Sequence, residues 1–451
     1  MKPLIREQFL QDSRYIAAKK LIQEALADAQ KTLHGVRSAD IERAITYKQL
    51  IERFAQARGN PLFYPYVGSG IGNGPLVELA DGSVKYDLIS GIGVHYFGHS
   101  FAPLIDVAVD GATADTIMQG NLEQNEEALT LSERLITLSQ LDHCFLSTSG
   151  AMACENALKI CFQKKEGARR ILAFDRCFAG RTLVLSQITD KPEFRVGLPY
   201  TLPIDYIPFY DSNNHEKSIQ AAKETLLKHI QRYPHQHAAM CLELIQGEGG
   251  FYVGNSEFFS ELIHILRSNN IAVWIDEVQT FGRTESLFAT HYFGLDAIVD
   301  VITIGKVAQA CATLFRKEFA PKSGLLSQTF IGSTTAIRAT QMLLEYSKQH
   351  HFFGKEGRIA QLSKDFFNRL HELIHKHPNT MHGPYGIGLL VAFGIGSGEK
   401  KETEAFLQRL FEYGVIAFSC GSNPTRIRML LPTTLTSNEL PEIFHIIEKA
   451  L

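Results

Sequence analysis

The order of apolar and polar positions divides the chain into three stretches. Residues 1 to about 57 are rich in Ala, Gln, Glu, Lys and Leu, and apolar residues recur at helical spacing, as in Ala17-Ala-Lys-Lys-Leu-Ile-Gln-Glu-Ala-Leu26. That pattern predicts a lead-in of at least two helices. Asn60-Pro-Leu-Phe-Tyr-Pro65 ends it, because proline disfavours helix at its own position and at the one before. From about 125 to 335, short β-rich apolar runs alternate with amphipathic stretches. Strands are expected at 171–174, 240–245, 272–275 and 301–304, and a helix over 258–267. Such alternation implies an α/β fold, a mostly parallel sheet covered by helices on both faces, with ligands at the carboxyl ends of its strands. Beyond Thr335 the pattern is helical over 336–350 and about 355–376, with short strands near 386–393 and 426–431.

These stretches suggest a helical extension (1–60), a large domain (61–335) and a smaller α+β domain (336–451). The first ~40 residues of the large domain are expected to contribute to the small one. Gly68-Ser-Gly-Ile-Gly-Asn-Gly74 invites comparison with a dinucleotide-binding loop. That fingerprint needs a strand before it and a helix after it. Here Pro75-Leu-Val-Glu-Leu79 and Ala80-Asp-Gly-Ser83 read as a strand and a tight turn, so a flexible glycine turn is expected instead.

Composition narrows the function. At 451 residues the chain exceeds one simple core, and 45% hydrophobic with 21% charged residues is ordinary for a globular protein. A formal net charge of −3 provides no broad basic surface, which argues against nucleic acid as a main partner. Cys144, Cys154, Cys161, Cys177, Cys241, Cys311 and Cys420 are scattered without C-x-x-C spacing, as expected of reduced thiols rather than a disulfide frame or a metal site. The charged start Met1-Lys-Pro-Leu-Ile-Arg-Glu-Gln does not resemble a secretory signal, and no run of 18 apolar residues suggests a membrane span. A cytoplasmic protein is the expectation.

Lys306 ends the run Val301-Ile-Thr-Ile-Gly-Lys306, thirty positions after Asp276 in Ile271-Ala-Val-Trp-Ile-Asp-Glu-Val-Gln-Thr280. An amine and a carboxylate at the ends of two buried strands are what pyridoxal phosphate (PLP) chemistry requires. The amine forms a Schiff base with the cofactor aldehyde, and the carboxylate keeps the pyridine nitrogen protonated. Ser147-Thr-Ser-Gly-Ala-Met-Ala-Cys-Glu-Asn-Ala-Leu-Lys159 runs small polar residues into a helix, so Ser149, Gly150 and Ala151 are candidates for a phosphate site, although such a segment taken alone is more often plain helix capping. Cys177-Phe-Ala-Gly-Arg-Thr182 offers Phe178 for a cofactor face and Arg181 for a substrate carboxylate, or simply a core ring beside a surface charge. Glu243-Leu-Ile-Gln-Gly-Glu-Gly-Gly250 brackets a turn with two carboxylates; Glu248 could be solvated, whereas Glu243 at a strand end needs a partner. Gln279 has an amide that could reach a phenolic oxygen, and Thr329-Phe-Ile-Gly-Ser-Thr334 before a helix is a further candidate phosphate contact.

Taken in order, these motifs resemble the class III PLP-dependent aminotransferases, the ornithine, acetylornithine, GABA and lysine ω-aminotransferase group, over roughly residues 60 to 440. The resemblance implies fold type I, PLP as cofactor, and a homodimer with active sites at the subunit interface. It implies Lys306 as the Schiff-base lysine, Asp276 as the ring-nitrogen partner, Gln279 on the phenolic oxygen, Phe178 on the ring, and Glu243 among the cofactor-binding residues. Gly150 and Ala151, beside Ser149, would hold the phosphate, with Thr329 supplied by the other subunit. Arg181 would grip a substrate carboxylate. Glu248 and Arg428, the latter in Arg426-Ile-Arg-Met-Leu-Leu-Pro432, would form a switching pair that serves an ω-amino donor and then 2-oxoglutarate.

Several positions depart from the family pattern: Met152, Ala179, Leu244, Ile331 and Ser333-Thr334. Val-Ala-Gln-Ala-Cys311 after Lys306 is closer to the lysine ε-aminotransferase branch. An aminomutase or decarboxylase of the same fold, and a PLP-binding regulator with impaired catalysis, are the alternatives at this point.

Overall fold

The computed structural model describes residues 2–62 and 64–451. Its centre is a seven-stranded sheet in the order His143–Ser147, Cys311–Phe315, Val301–Ile304, Ala272–Glu277, His237–Leu242, Arg170–Phe174, Ile204–Ile207. Val301–Ile304, Ala272–Glu277, His237–Leu242, Arg170–Phe174 and Ile204–Ile207 pair in parallel, while Cys311–Phe315 runs antiparallel to both of its neighbours. The mostly parallel sheet expected from the alternation is therefore present.

The unbroken apolar runs follow from burial on both faces. Along Ala272–Glu277, Val273 and Ile275 join a cluster with Phe258 and Leu262 of helix Ser256–Ser268. Ala272 and Trp274 point the other way, into a cluster with Cys154, Leu158 and Cys161 of helix Gly150–Lys164. Helix Ser256–Ser268 begins where Asn255 accepts the Phe258 N–H at 2.8 Å, a side-chain cap that satisfies one of the orphan donors of the first turn.

Two smaller sheets close the cavity from the other side. One orders Gly68–Asn73, Leu76–Leu79, Val84–Asp87 and Val415–Ile416, the last pairing in parallel with Val84–Asp87 from more than three hundred residues earlier. The other orders Met381–Ile387, Leu390–Ile395, Arg426–Leu430 and Phe418–Cys420. The run at 386–393 is thus two strands, not one. The turn between them falls at Gly388-Leu389, with Gly388 at φ +60°, and within the first strand a Cβ on Gly386 (φ +96°) would meet the Leu390 carbonyl oxygen at 2.0 Å.

The strand expected over 240–245 stops at Leu242, and Ile245–Gln246 pairs with Tyr252–Val253 in a hairpin of its own. The turn expected at Gly68–Gly74 is instead a strand, antiparallel to Leu76–Leu79, and no helix follows it. Its glycines serve close packing: a Cβ on Gly72 would meet His99 Cβ at 2.3 Å and the Leu76 carbonyl oxygen at 2.5 Å.

The lead-in holds three helices, Ile5–Leu10, Ser13–Gln30 and Ile41–Arg58, none with a buried residue. The first two are strapped to helix Ala102–Ala112 and the turn after it by polar contacts: Arg6 to the Thr113 carbonyl (2.7 Å), Tyr15 to Asp110 (2.7 Å), and Lys19 to Asp106 and Asp110 (2.8 Å each). Phe63, within the expected break at 60–65, lies outside the described residues. Helices Thr334–Gln349 and Arg358–Lys376 match the periodic stretches after Thr335.

Candidate active site

A cavity of about 1170 Å³ opens at the carboxyl ends of the parallel strands, between the large sheet and the two smaller ones. Ten of the twelve residues singled out from the sequence line it: Gly150, Ala151, Phe178, Arg181, Glu243, Glu248, Asp276, Gln279, Lys306 and Arg428. They come from six separate segments, so their convergence is a property of the fold and not of sequence proximity.

Asp276 and Lys306 are placed by strand register. Asp276 stands opposite Thr303 on the neighbouring strand, and Lys306 follows two residues past the end of that strand. Because side chains alternate, Trp274 and Asp276 share a face with Thr303, and a hydrogen-bond chain links them. Trp274 Nε1 donates to Thr303 Oγ1 at 3.1 Å, and that hydroxyl donates to Asp276 Oδ1 at 3.4 Å. The Val278 N–H reaches the same oxygen at 2.9 Å, and Cys154 Sγ lies 3.5 Å from Oδ2. The adjacent Glu277 points away and takes the Ala289 and Thr290 N–H groups at 2.7 and 2.8 Å. One strand end therefore carries a structural carboxylate and a cavity carboxylate on opposite faces.

Burial raises the Asp276 carboxyl above the usual carboxylate range, opposed by the Val278 N–H and by Lys306. Enclosure by the protein lowers the Lys306 ammonium, although Asp276 pulls it the other way. The Lys306 backbone adopts φ +49° and Gln309 φ +56°, a left-handed conformation that costs about 1 kcal/mol at each non-glycine residue. Gly305 lets the chain turn there: a Cβ on it would meet Val278 at 3.1 Å and Gly150 Cα at 3.4 Å.

Helix Gly150–Lys164 begins against these strand ends, and a Cβ on Gly150 would meet Val278 Cγ1 at 2.9 Å. Ser149 is its N-cap: its hydroxyl accepts the Met152 N–H at 3.2 Å, and the residue does not line the cavity. Gly150 and Ala151, whose N–H groups precede the first intrahelical bond, do line it. Capping and cavity lining thus coexist in one segment.

Glu243 is buried just beyond strand His237–Leu242, where it accepts the Phe178 N–H at 2.8 Å and the Gly247 N–H at 3.1 Å. Burial and the nearby Asp276 push its carboxyl up to about 8, against those two donors. Five residues on, Glu248 behaves oppositely. Lys191 Nζ sits 2.8 Å from its Oε1 and Arg428 Nη2 3.0 Å from its Oε2. Burial would raise Glu248, yet Arg428 and Lys191 hold it below the usual range. Arg181 lies over the Phe194 ring at 3.6 Å. Arg426, two residues before Arg428, is occupied structurally: it donates to the Gly250 carbonyl at 2.5 Å and stacks on Tyr385 at 3.5 Å.

Thr329 is exposed and does not line the cavity of its own chain; its carbonyl lies beside Gly120. Cys154, Thr303, Trp274, Lys191 and Phe194 were not singled out from the sequence. Trp274 and Thr303 carry a readable signal, polar-capable residues inside two buried strands. Lys191 does not, because only the folding of the 177–195 loop brings it to Glu248. The departures from the family pattern have local partners: Ser333 caps helix Thr334–Gln349 through the Ala336 N–H (3.0 Å), Leu244 is core, and the Ala179 N–H bonds Thr189 Oγ1 (3.0 Å).

The donor set fits PLP. The buried Gln279 Nε2 has no hydrogen-bond partner among the described residues, close to a carboxylate, an amine and a helix start that together match the cofactor's polar groups. Among the described residues no cluster of His, Cys, Asp or Glu could hold a metal ion, and no helix is long and apolar enough to cross a membrane.

Comparisons with known proteins agree. Residues 61–451 match the family model for aminotransferase class-III. Acetylornithine aminotransferase of Methanocaldococcus jannaschii is 29% identical over 402 residues, spanning 84% of this chain and 93% of that protein. Its counterpart from Bacillus anthracis is 29% identical over 386 residues, with the same coverage, 84% and 93%. Among solved structures, lysine aminotransferase from M. tuberculosis superposes with a TM-score of 0.80 at 23% identity, covering 89% of this chain and 99% of that one. Ornithine aminotransferase from Toxoplasma gondii ME49 gives 0.77 at 22%, covering 88% and 94%.

Proposed function

The chain belongs to the class III aminotransferases, PLP-dependent enzymes of fold type I, and on that premise we propose that it moves the ω-amino group of a lysine-, ornithine-, acetylornithine- or GABA-type donor to 2-oxoglutarate. Bound in the cavity, PLP supplies an aldehyde that condenses reversibly with amines and a ring that withdraws electrons. Lys306 Nζ would hold the aldehyde, Asp276 the ring nitrogen, and Gln279 Nε2 the phenolic oxygen. Phe178 would cover the ring, its backbone fixed by Glu243. Gly150 and Ala151 would hold the phosphate at the start of a helix that Ser149 caps. Thr329 is exposed and does not line its own chain's cavity, which supports its delivery to the phosphate by a second copy, and hence a homodimer.

The protein's own part in the transfer is proton movement and charge recognition. Enclosure favours the free amine of Lys306, which can take a proton from the donor carbon at Nζ and later return one. Asp276, fixed by Val278, Thr303 and Cys154, keeps the ring nitrogen's proton in place. Arg181 is the open carboxylate receptor. Arg428 is masked by Glu248 while an ω-amino donor reacts, and freed for the second carboxylate of 2-oxoglutarate or glutamate.

The observation that carries this reading is the paired Glu248–Arg428 in the same cavity as Lys306 and Asp276. A mutase or decarboxylase has no need of a second, maskable guanidinium. The seven cysteines are free, which supports a reducing cytoplasm as the place of action. The test adds each donor singly to the PLP-loaded enzyme without a 2-oxo acid. A true donor bleaches the visible cofactor band and 2-oxoglutarate restores it; recovery without any 2-oxo acid would remove the transamination reading.

A further inference from the structure

Glu248 has two counter-ions, and the second bears on how Arg428 is released. Lys191 Nζ holds Oε1 at 2.8 Å while Arg428 Nη2 holds Oε2 at 3.0 Å, so each cation has an oxygen of its own. The site is largely out of water: the side chains of Lys191, Glu248 and Arg428 are 13%, 20% and 4% exposed. A buried carboxylate deprived of its one counter-ion is strongly disfavoured. A switch made of Glu248 and Arg428 alone would meet that obstacle each time it opened. With Lys191 in place, opening exchanges a three-membered cluster for an intact Lys191–Glu248 pair.

The remaining contacts suit this division. Arg428 Nε is buried without a hydrogen-bond partner, so the guanidinium keeps a donor in reserve for an incoming carboxylate. Lys191 Nζ lies 5.2 Å from the centre of the Phe194 ring, the same ring that Arg181 covers at 3.6 Å. One aromatic side chain thus positions both the open receptor and the second counter-ion. The lysine's flexible four-carbon stem lets its ammonium stay on the carboxylate when the guanidinium turns away.

We propose that Lys191 is a positioning residue for the acceptor half-reaction, keeping the Glu248 carboxylate paired while Arg428 turns to the 2-oxo acid. This rests on the reading of Glu248 and Arg428 as a switch. Lys191 does not touch the substrate; it acts through Glu248.

The experiment follows the two half-reactions separately by the visible spectrum of the holoenzyme, using the best donor of the panel and then 2-oxoglutarate. Lys191→Met is expected to raise the apparent KM for 2-oxoglutarate about 10- to 100-fold, with the donor half-reaction within about twofold of wild type. Lys191→Arg restores most of the acceptor KM. In a Glu248→Gln background, where no carboxylate needs a second counter-ion, Lys191→Met changes that KM by less than about twofold. Persistence of the full effect in that background would mean Lys191 binds the acceptor itself, and would overturn the proposal. Equal losses in both half-reactions, unrescued by arginine, would overturn it as well by making the residue merely structural. Should the methionine variant fail to fold, Lys191→Gln takes its place with the same expected order. Arg428→Ala run in parallel separates the two levels. Equal loss in both half-reactions there sinks the switch itself, whereas an acceptor-selective loss leaves the switch standing and the Lys191 result to be judged alone.

Discussion

Glu243 and Glu248 stand five residues apart around one turn, both largely removed from water, and the protein shifts their acidities in opposite directions. Glu243 meets two backbone N–H groups and faces Asp276, and its carboxyl is pushed up to about 8 by burial and by that second carboxylate. Glu248 meets Lys191 and Arg428 and is held low in spite of burial. Burial alone therefore does not define a buried acid; the sign of the nearest charges does. The two ends of the cavity differ in the same sense. The floor is built on parallel strands, with two carboxylates against one amine, and suits proton transfer. The rim is built on a loop and on the smaller sheet that holds Arg426–Leu430, with three cations around one carboxylate, and suits recognition of anionic substrates.

The floor is where a single change should cost most. Lys306→Ala removes the group assigned to both covalent attachment and proton transfer, and turnover is expected to fall by about 10⁴-fold or more, read as kcat with the donor panel. Turnover near wild type would break the contrast outright. Asp276→Ala should lower kcat by about 100- to 1000-fold and loosen PLP, measured by dialysis and reconstitution. An unchanged rate would deny Asp276 the ring nitrogen.

At the rim, effects should be smaller and selective. Arg428→Ala is expected to reduce kcat/KM for 2-oxoglutarate about 10- to 100-fold more than it affects the donor half-reaction. Uniform loss would erase the difference between floor and rim.

The smallest effect concerns pH. With a folded value near 8 against an ordinary 4.5, Glu243 retains in the native state a proton that the unfolded chain has released. Its contribution to stability is full below about 4.5 and is lost as pH rises through about 8. In urea titrations of the PLP-free protein between pH 5 and 8, wild type should lose stability with rising pH more steeply than Glu243→Gln, by up to about 1.4 kcal/mol per pH unit. Parallel slopes would show that Glu243 does not titrate in this window.

Much of this was legible in the chain because parallel strands buried on both faces leave long apolar runs, and chemistry sits where those runs stop. Asp276 and Lys306 were readable for that reason. The antiparallel strand Cys311–Phe315 was not, since its turn back from Lys306 depends on left-handed residues at 306 and 309 that no composition announces. Gly68–Gly74 misled because glycine permits both a loop and close strand packing, and only the neighbour, His99, decides between them. Lys191 was invisible for a further reason: a lysine in a polar loop looks the same whether it meets solvent or a buried carboxylate.

The central claim is that Lys306 Nζ is the point at which PLP is covalently held. Reducing the holoenzyme with borohydride, digesting it and mapping the labelled peptide tests this directly. The account predicts one phosphopyridoxyl group, on the peptide containing Lys306; a label on another lysine, or none, would contradict it.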